Sequence, residues 1–118
     1  MMQLTQNVCC ALSIEAGEDL TQFTLVGLDG KQCLEGKPAF GVAEVDADEG
    51  EMATVNVLGV MVVTAGGAVA VGDTLQSDDN GCAVKQGAAV GGVLPAAVGM
   101  ALGAAAAAGE PIRMLRGA

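Results

Sequence analysis

The residues best equipped for chemistry lie in one acidic run, which contains Asp46, Asp48, Glu49 and Glu51. Clustered carboxylates suit calcium, and Asp46 and Asp48 stand at the first and third positions of a calcium-binding loop. The other positions do not fit. Glu51 stands where such a loop requires glycine, and Val57 stands where it requires a bidentate glutamate. The run therefore predicts a solvated loop between two strands, with no metal-binding residue.

Nucleophilic and acid–base catalysis lack their usual partners in this chain. It has no histidine, so Ser13 and Ser77 have no imidazole base to activate them. Paired carboxylates could serve a glycosidase, but such a site also needs aromatic support, and the only aromatic residues are two phenylalanines. Gly30-Lys31 and Gly36-Lys37 lack the rest of a phosphate-binding loop. The sequence therefore predicts a non-enzyme without catalytic or cofactor-binding residues, and no cofactor.

Four cysteines are present, at positions 9, 10, 33 and 82. None forms a C-x-x-C pair, which argues against a structural zinc site. Four cysteines allow three disulfide connectivities, and nothing in the sequence selects one of them. We therefore interpret them as free thiols that act as small packing residues, although the pairing stays open at this point.

Composition limits the partners that this chain can bind. It has 118 residues and a net charge of −9, which indicates one acidic domain and argues against direct nucleic-acid binding. The uncharged stretch Gly87–Gly109 is long enough to span a membrane, but 17 of its 23 residues are Ala, Gly or Pro. We therefore expect no membrane partner.

Apolar residues alternate in short runs that glycine, aspartate and asparagine interrupt, which is typical of a small all-β domain. Leu28–Lys31 and Asp78–Gly81 predict tight hairpin turns, and Gly59 predicts a kink or bulge. Ala104–Gly109 is read as a helical turn or a loop. The predicted strands are Val8–Ile14, Gln22–Val26, Lys31–Leu34, Phe40–Val45, Ala53–Leu58, Val60–Val63, Ala68–Val71, Thr74–Ser77, Cys82–Val84, Val98–Leu102 and Ile112–Leu115.

The predicted fold class is mainly β, a small single-domain β-barrel or β-sandwich-like fold with short hairpins and at most a short helical turn. Small side chains bury little apolar area per residue, so a monomer of this composition is expected to be marginally stable. Burial of shared surface in an oligomer would offset that shortfall. The composition therefore favours a structural or interaction protein.

One ordered set of motifs resembles a known family. Phe40-Gly41-Val42-Ala43-Glu44-Val45 leads into the acidic run, and Gly66-Gly67-Ala68-Val69-Ala70-Val71-Gly72-Asp73-Thr74-Leu75 follows a valine-rich strand. Val98-Gly99-Met100-Ala101-Leu102, an alanine run and Gly109-Glu110-Pro111-Ile112-Arg113-Met114-Leu115 complete the order. Over roughly residues 20–118, this order resembles the capsid decoration (cement) proteins of tailed bacteriophages.

The resemblance implies a β-barrel-like homotrimer on the outer capsid surface of a virion assembled in the bacterial cytoplasm. It implies that the major capsid protein is the partner, and that bridging its subunits stabilises the shell. Residues 1–20 would form an N-terminal arm or first strand, and residues 21–118 the decoration-like domain. The alternatives are a β-barrel that binds a small ligand and an accessory domain of a larger complex.

Two groups of residues are candidates for the contacts that this function needs. The Met1–Ile14 part of the arm, or the Glu35–Pro38 loop, is expected to meet the capsid, although the arm could instead add a strand to its own sheet. The candidate capsid contacts are Leu4, Val8, Leu12, Lys37 and Pro38. The candidate residues of the trimer interface or core are Val90, Val93, Leu94, Val98, Met100 and Leu102.

Overall fold

The computed structural model describes residues 6–89 and 91–117, which form eight strands and no helix. The mainly-β prediction is therefore confirmed, and Ala104–Gly109 is a loop. No helix of the described chain is long and apolar enough to cross a membrane. The strands are β1 (Asn7–Glu15), β2 (Leu25–Gly27), β3 (Ala39–Ala43), β4 (Met52–Thr64), β5 (Thr74–Ser77), β6 (Ala83–Lys85), β7 (Gly99–Ala101) and β8 (Pro111–Arg116).

All named strand pairs are antiparallel and belong to one sheet, in the order β2-β3-β4-β8-β7-β5-β6. The 13-residue strand β4 organises this sheet. Strand β1 runs along one edge of β4, while β3 and then β8 share the other edge. The sheet nearly closes into a barrel, since the backbone N–H of Leu25 in β2 donates to the carbonyl of Gly81 beside β6 at 2.7 Å.

Two irregularities reverse the faces of β1 and β4. Cys9 in β1 and Val57 in β4 have no direct partner in the register of this strand pair. A residue inserted in this way moves the following side chains to the opposite face of the strand. Ile14 accordingly packs with Ala53 and Val55, whereas Val8 packs against the barrel interior. The kink or bulge that the sequence predicted at Gly59 is therefore found close to it, at Val57 and Cys9.

The apolar side chains form two separate cores. The barrel core fills the interior and includes Leu25, Met61, Leu75, Ile112 and Met114, all fully buried. The second core lies on the other face of β3 and the first half of β4, and it consists of Ala16, Leu20, Val26, Ala43, Ala47, Ala53 and Val55. Strand β3 is therefore buried on both faces.

Glycines let neighbouring strands approach closely at two places in the sheet. A Cβ atom at Gly41 would collide with the backbone of Asn56, and one at Gly99 would lie 2.6 Å from the Met114 side chain. Such contacts leave no room for a larger side chain. Small residues therefore serve close strand packing, as the composition suggested.

Phe40–Val45 ends at Ala43 and Val98–Leu102 is reduced to Gly99–Ala101, and three other predicted strands differ more from the structure. Gln22–Val26 becomes β2 only from Leu25, because Phe23 has a left-handed backbone (φ +64°) that breaks an extended run. Lys31–Leu34 returns from the expected turn but makes one bridge, Gln32 with Val26, before Gly36 turns towards Ser77. Ala68–Val71 likewise makes a single bridge.

The turn before β6 forms as the sequence predicted. The Asp78 carboxylate accepts the backbone N–H groups of Asn80 (2.8 Å) and Cys82 (2.9 Å), and Gly81 has a positive φ of +71°. Aspartate followed by glycine allows a tight connection of this kind. Strands β5 and β6 consequently pair as a hairpin.

Candidate assembly surfaces

Strand β1 presents a long edge that receives no backbone hydrogen bond within the described ranges. Its other edge pairs with β4 along its whole length. Ala11, Leu12 and Ser13 are all exposed, and Glu15 at the end is its single charged residue. Proteins usually protect such edges with charges, proline or a covering loop. This nine-residue edge, with one charge at its end, is therefore a candidate interface.

Polar side chains fix the start of β1 against β4. Gln6 Oε1 accepts the backbone N–H of Val62 at 2.8 Å, which extends the strand pairing by a side chain. Asn56 Nδ2 donates to the Glu44 carboxylate, and the Gln6 amide lies 3.4 Å from the same carboxylate. Residues 7–15 are thus held as the first strand of the chain's own sheet.

The candidate capsid contacts of this strand differ in exposure. Leu12 is 48% exposed, so its side chain is available to a partner. Val8 is half-buried against the barrel core, and this packing withdraws much of it from any external contact. Leu4 lies outside the described residues.

Lys37 and Pro38 are both exposed and line a surface cleft of about 430 Å³. The cleft also contains Leu28 and Leu34, which are 70% and 54% exposed. Two of the three lysines in the chain, Lys31 and Lys37, line it. Glu18 and Asp29 line it as well, so this apolar cleft with side chains of both charges is a second candidate contact.

The candidate trimer residues separate into core and surface. Val98 is 2% exposed and belongs to the barrel core. Val93 and Leu94 are 72% and 57% exposed, and Met100 is 43% exposed. Leu102 is half-buried, and Val90 lies outside the described residues. The set therefore supplies one core residue and an apolar surface, and does not form one cluster.

A second cleft, of about 380 Å³, lies over strands β4, β7 and β8. Its apolar walls include Leu58, Met100 and Leu115. Gly117 also lines it and lies so close to the Leu58 side chain that a Cβ atom at this position would collide with it. Met100 and Leu115 are directly opposed across the β7–β8 pair. The cleft therefore forms an apolar depression in the barrel surface.

Arg116 holds three segments of the fold together, a role that no motif in the sequence indicated. Its guanidinium donates to the carbonyls of Val57 (2.9 Å), Val98 (2.9 Å), Ala39 (2.8 Å) and Phe40 (3.3 Å). It thereby joins β3 to β8 at the point where both strands share one edge of β4. Burial lowers the pKa of this group, which still carries its charge because arginine titrates far above neutral pH. Apolar Ile112 and Met114 are two residues apart, as in a strand with one buried face. Continuing this spacing to position 116 would have predicted that Arg116 points into the barrel.

The reactive side chains of the described residues are scattered or engaged in structural contacts. The described residues contain no cluster of three or more residues able to hold a metal ion. All four cysteines are free, and burial raises the pKa of the Cys33 and Cys82 thiols, which makes them poorer nucleophiles. In the acidic run, Asp46 accepts the backbone N–H of Gln22 at 2.7 Å, which is a structural contact.

A family model described as phage cement protein matches residues 6–116. The chain belongs to the phage cement protein family. The resemblance drawn from the sequence is therefore confirmed, and this family member is a structural protein of the phage virion, associated with the capsid.

Structural comparison finds the same fold in the N base of the head fiber gp8.5 of bacteriophage phi29. The TM-score is 0.68 and the sequence identity is 23%, over 92% of this chain and 93% of that one. At this identity the likeness supports the fold. A comparison with curated proteins finds no significant match.

Proposed function

We propose that this protein binds the outside of a phage capsid as a homotrimer and stabilises the shell by bridging major capsid protein subunits. It acts by binding alone and catalyses no reaction. Family membership supports the capsid as the partner. The observation that carries the proposal is the unprotected edge of β1, a docking surface uncharged from Asn7 to Ile14 on a chain of net charge −9.

An exposed strand edge suits a structural partner because it binds through the backbone. An extended segment of another protein can add to it as a further strand, with main-chain hydrogen bonds for affinity and side chains such as Leu12 for selectivity. The cleft beside Lys37 and Pro38 offers a second point of attachment. Two separate contacts on one domain suit a protein that holds two neighbours together.

A trimer multiplies these contacts. Three linked copies engage a shell at several points, so that each later contact forms at high effective concentration. Because the trimer binds the assembled shell better than dissociated capsid subunits, it shifts the equilibrium towards the intact shell. Stabilisation of this kind requires complementary surfaces and no reactive group.

The ligand-binding alternative receives less support from the barrel. Its interior is filled by side chains such as Met61, Leu75 and Ile112, all fully buried. A barrel that holds a ligand needs an internal pocket, whereas both clefts described above open on the surface.

The experiment that tests the proposal measures sedimentation of the protein with capsid shells that lack it. Ala11→Lys combined with Ser13→Lys places two charges on the edge of β1, and we expect binding to fall at least about tenfold, as charged edges resist strand addition. Ala70→Lys with Val71→Lys adds the same charge at another exposed site and serves as the matched control. Undiminished binding by the β1 variant, or equal loss in both variants, would refute the role of this edge.

A further inference from the structure

The turn that precedes β6 contains the dipeptide Asn80-Gly81, in which an asparagine is prone to react with its own backbone. The backbone nitrogen of the next residue can attack the side-chain amide carbon, and glycine obstructs this approach least because it has no Cβ atom. The chain has three asparagines, at positions 7, 56 and 80. The first two precede valine, whose branched side chain crowds the same nitrogen. The sequence therefore makes Asn80 the most reactive of the three.

The structure leaves the Asn80 side chain free to turn. Asn80 is exposed, and its hydrogen bonds in the described chain involve its backbone. Its N–H donates to the Asp78 carboxylate at 2.8 Å, and its carbonyl accepts the Cys82 thiol at 3.8 Å. Asn56, by contrast, is 3% exposed, and its Nδ2 donates to the Glu44 carboxylate. The amide carbon of Asn80 can thus rotate towards the next nitrogen, and water can reach it.

The attacking nitrogen, that of Gly81, is held weakly. Its N–H donates to the Asp78 carbonyl at 3.3 Å, which is longer than the usual distance of about 2.9 Å for such bonds. The firmer bonds of the turn run from the N–H groups of Asn80 and Cys82 to the Asp78 carboxylate, at 2.8 and 2.9 Å. This carboxylate therefore limits how far the turn opens, while the nitrogen that must react is less restrained.

Gly81 also lies where the barrel closes. Its carbonyl accepts the N–H of fully buried Leu25 at 2.7 Å, the bond that joins β2 to the turn beside β6. A Cβ atom on Gly81 would lie 2.9 Å from Gln32 Cγ and 3.1 Å from the Leu25 carbonyl oxygen. The backbone of Gly81 therefore packs against β2 without spare room, and a longer main chain at this point must displace the Leu25 bond.

We propose that Asn80 is a site of spontaneous covalent modification, and that its isoaspartyl product opens the barrel between Leu25 and Gly81. The Gly81 nitrogen forms a bond to Cγ of Asn80, the Cγ–Nδ2 bond breaks, and ammonia leaves with the proton of the Gly81 amide. Water, the only co-reactant, then opens the ring. Opening at Cγ gives aspartate, whereas opening at the main-chain carbonyl gives isoaspartate, whose main chain runs through Cβ and Cγ and is longer by one carbon atom.

The first test locates the reaction, which needs no partner and so stands apart from the proposed capsid binding. The protein is held in mildly alkaline buffer, and digestion with mass spectrometry locates the gain of about 1 Da that replaces NH₂ by OH. Asn80 should react before Asn7 and Asn56. Asn80→Ser should abolish the early product, and Asn7→Ser, the matched control, should not. Earlier reaction at Asn7 or Asn56, or an Asn80 that stays intact, overturns the site.

The second test measures the restraint that the turn imposes. Asp78→Ala removes the acceptor for the N–H groups of Asn80 and Cys82, so the loss of ammonia from Asn80 should be faster by about fivefold or more. Asp78→Asn keeps an acceptor oxygen without the charge and should react at nearly the wild-type rate. Equal acceleration in both variants would assign the effect to charge and contradict control by the turn.

The third test examines the barrel at the Leu25 amide. In the isoaspartyl form, separated by chromatography, hydrogen exchange of this amide should be about tenfold faster, because its buried acceptor has moved. Freshly prepared Asn80→Asp carries the same added charge on a main chain of normal length and should exchange as the wild type does. Unchanged exchange in the isoaspartyl form, or an equal rise in both proteins, overturns the opening of the barrel.

Discussion

At the scale of single residues, Arg116 shows how a charged side chain can stabilise a fold by hydrogen bonding to backbone carbonyls. Its guanidinium satisfies four carbonyl groups that belong to three separate segments of the chain. Arginine suits this task because its planar group offers five donors in a fixed geometry. The chain has only two arginines. This one connects β3 and β8, which pair with successive parts of the same edge of β4.

Removal of the Arg116 donors should destabilise the protein strongly. Arg116→Met leaves buried carbonyls without partners, so we expect the free energy of unfolding to fall by roughly 3 kcal/mol. Arg113→Met on the same strand is the matched control, and it should cost about 1 kcal/mol or less. Urea unfolding followed by circular dichroism measures both values. Equal losses would show that Arg116 contributes through packing alone.

At the scale of elements, turns were predictable and pairing was not. Asp78–Gly81 carries its own geometry in the sequence, because the aspartate accepts local N–H groups and the glycine takes a positive φ. The face reversal at Cys9 and Val57 has no such local sign. It depends on which residues of β1 and β4 lie opposite one another, and these are far apart in the sequence, as Val8 and Gly59 are.

The Asp78 turn gives a prediction that belongs to the β5–β6 hairpin. Asp78→Ala removes the acceptor for two backbone N–H groups, and the free energy of unfolding should fall by about 1–2 kcal/mol. Asp48→Ala removes the same charge from another exposed loop and is the control. Faster hydrogen exchange confined to β5 and β6 in the first variant would identify the hairpin as the weakened element, whereas equal effects in both variants would attribute the loss to charge.

At the scale of the whole molecule, the sequence predicted an all-β barrel-like domain and the family, but only part of the surface. The alternation of apolar residues marks strands, and the ordered glycine motifs mark the family. Which apolar residues stay outside is decided by packing. Val98 and Met100 lie two positions apart in one predicted strand, yet the first fills the barrel core and the second is 43% exposed.

The net charge of −9 predicts how the proposed homotrimer responds to salt. Repulsion between copies weakens when salt screens it, so association should tighten by about threefold or more between 0.05 and 0.5 M sodium chloride, where the screening length falls to a few ångströms. Sedimentation equilibrium measures the constant at each salt concentration. Association that weakens with salt would contradict net repulsion between the copies and indicate ion pairs between them.

The position of β8 in the sheet has a consequence for biosynthesis. This strand is the last of the described chain, yet it lies between β4 and β7 in the middle of the strand order. Its Arg116 also joins segments from three other parts of the molecule. A nascent chain on the ribosome therefore cannot close the barrel until β8 has left the exit tunnel. Until then, β4 and β7 each have an unpaired edge, which we expect chaperones to bind.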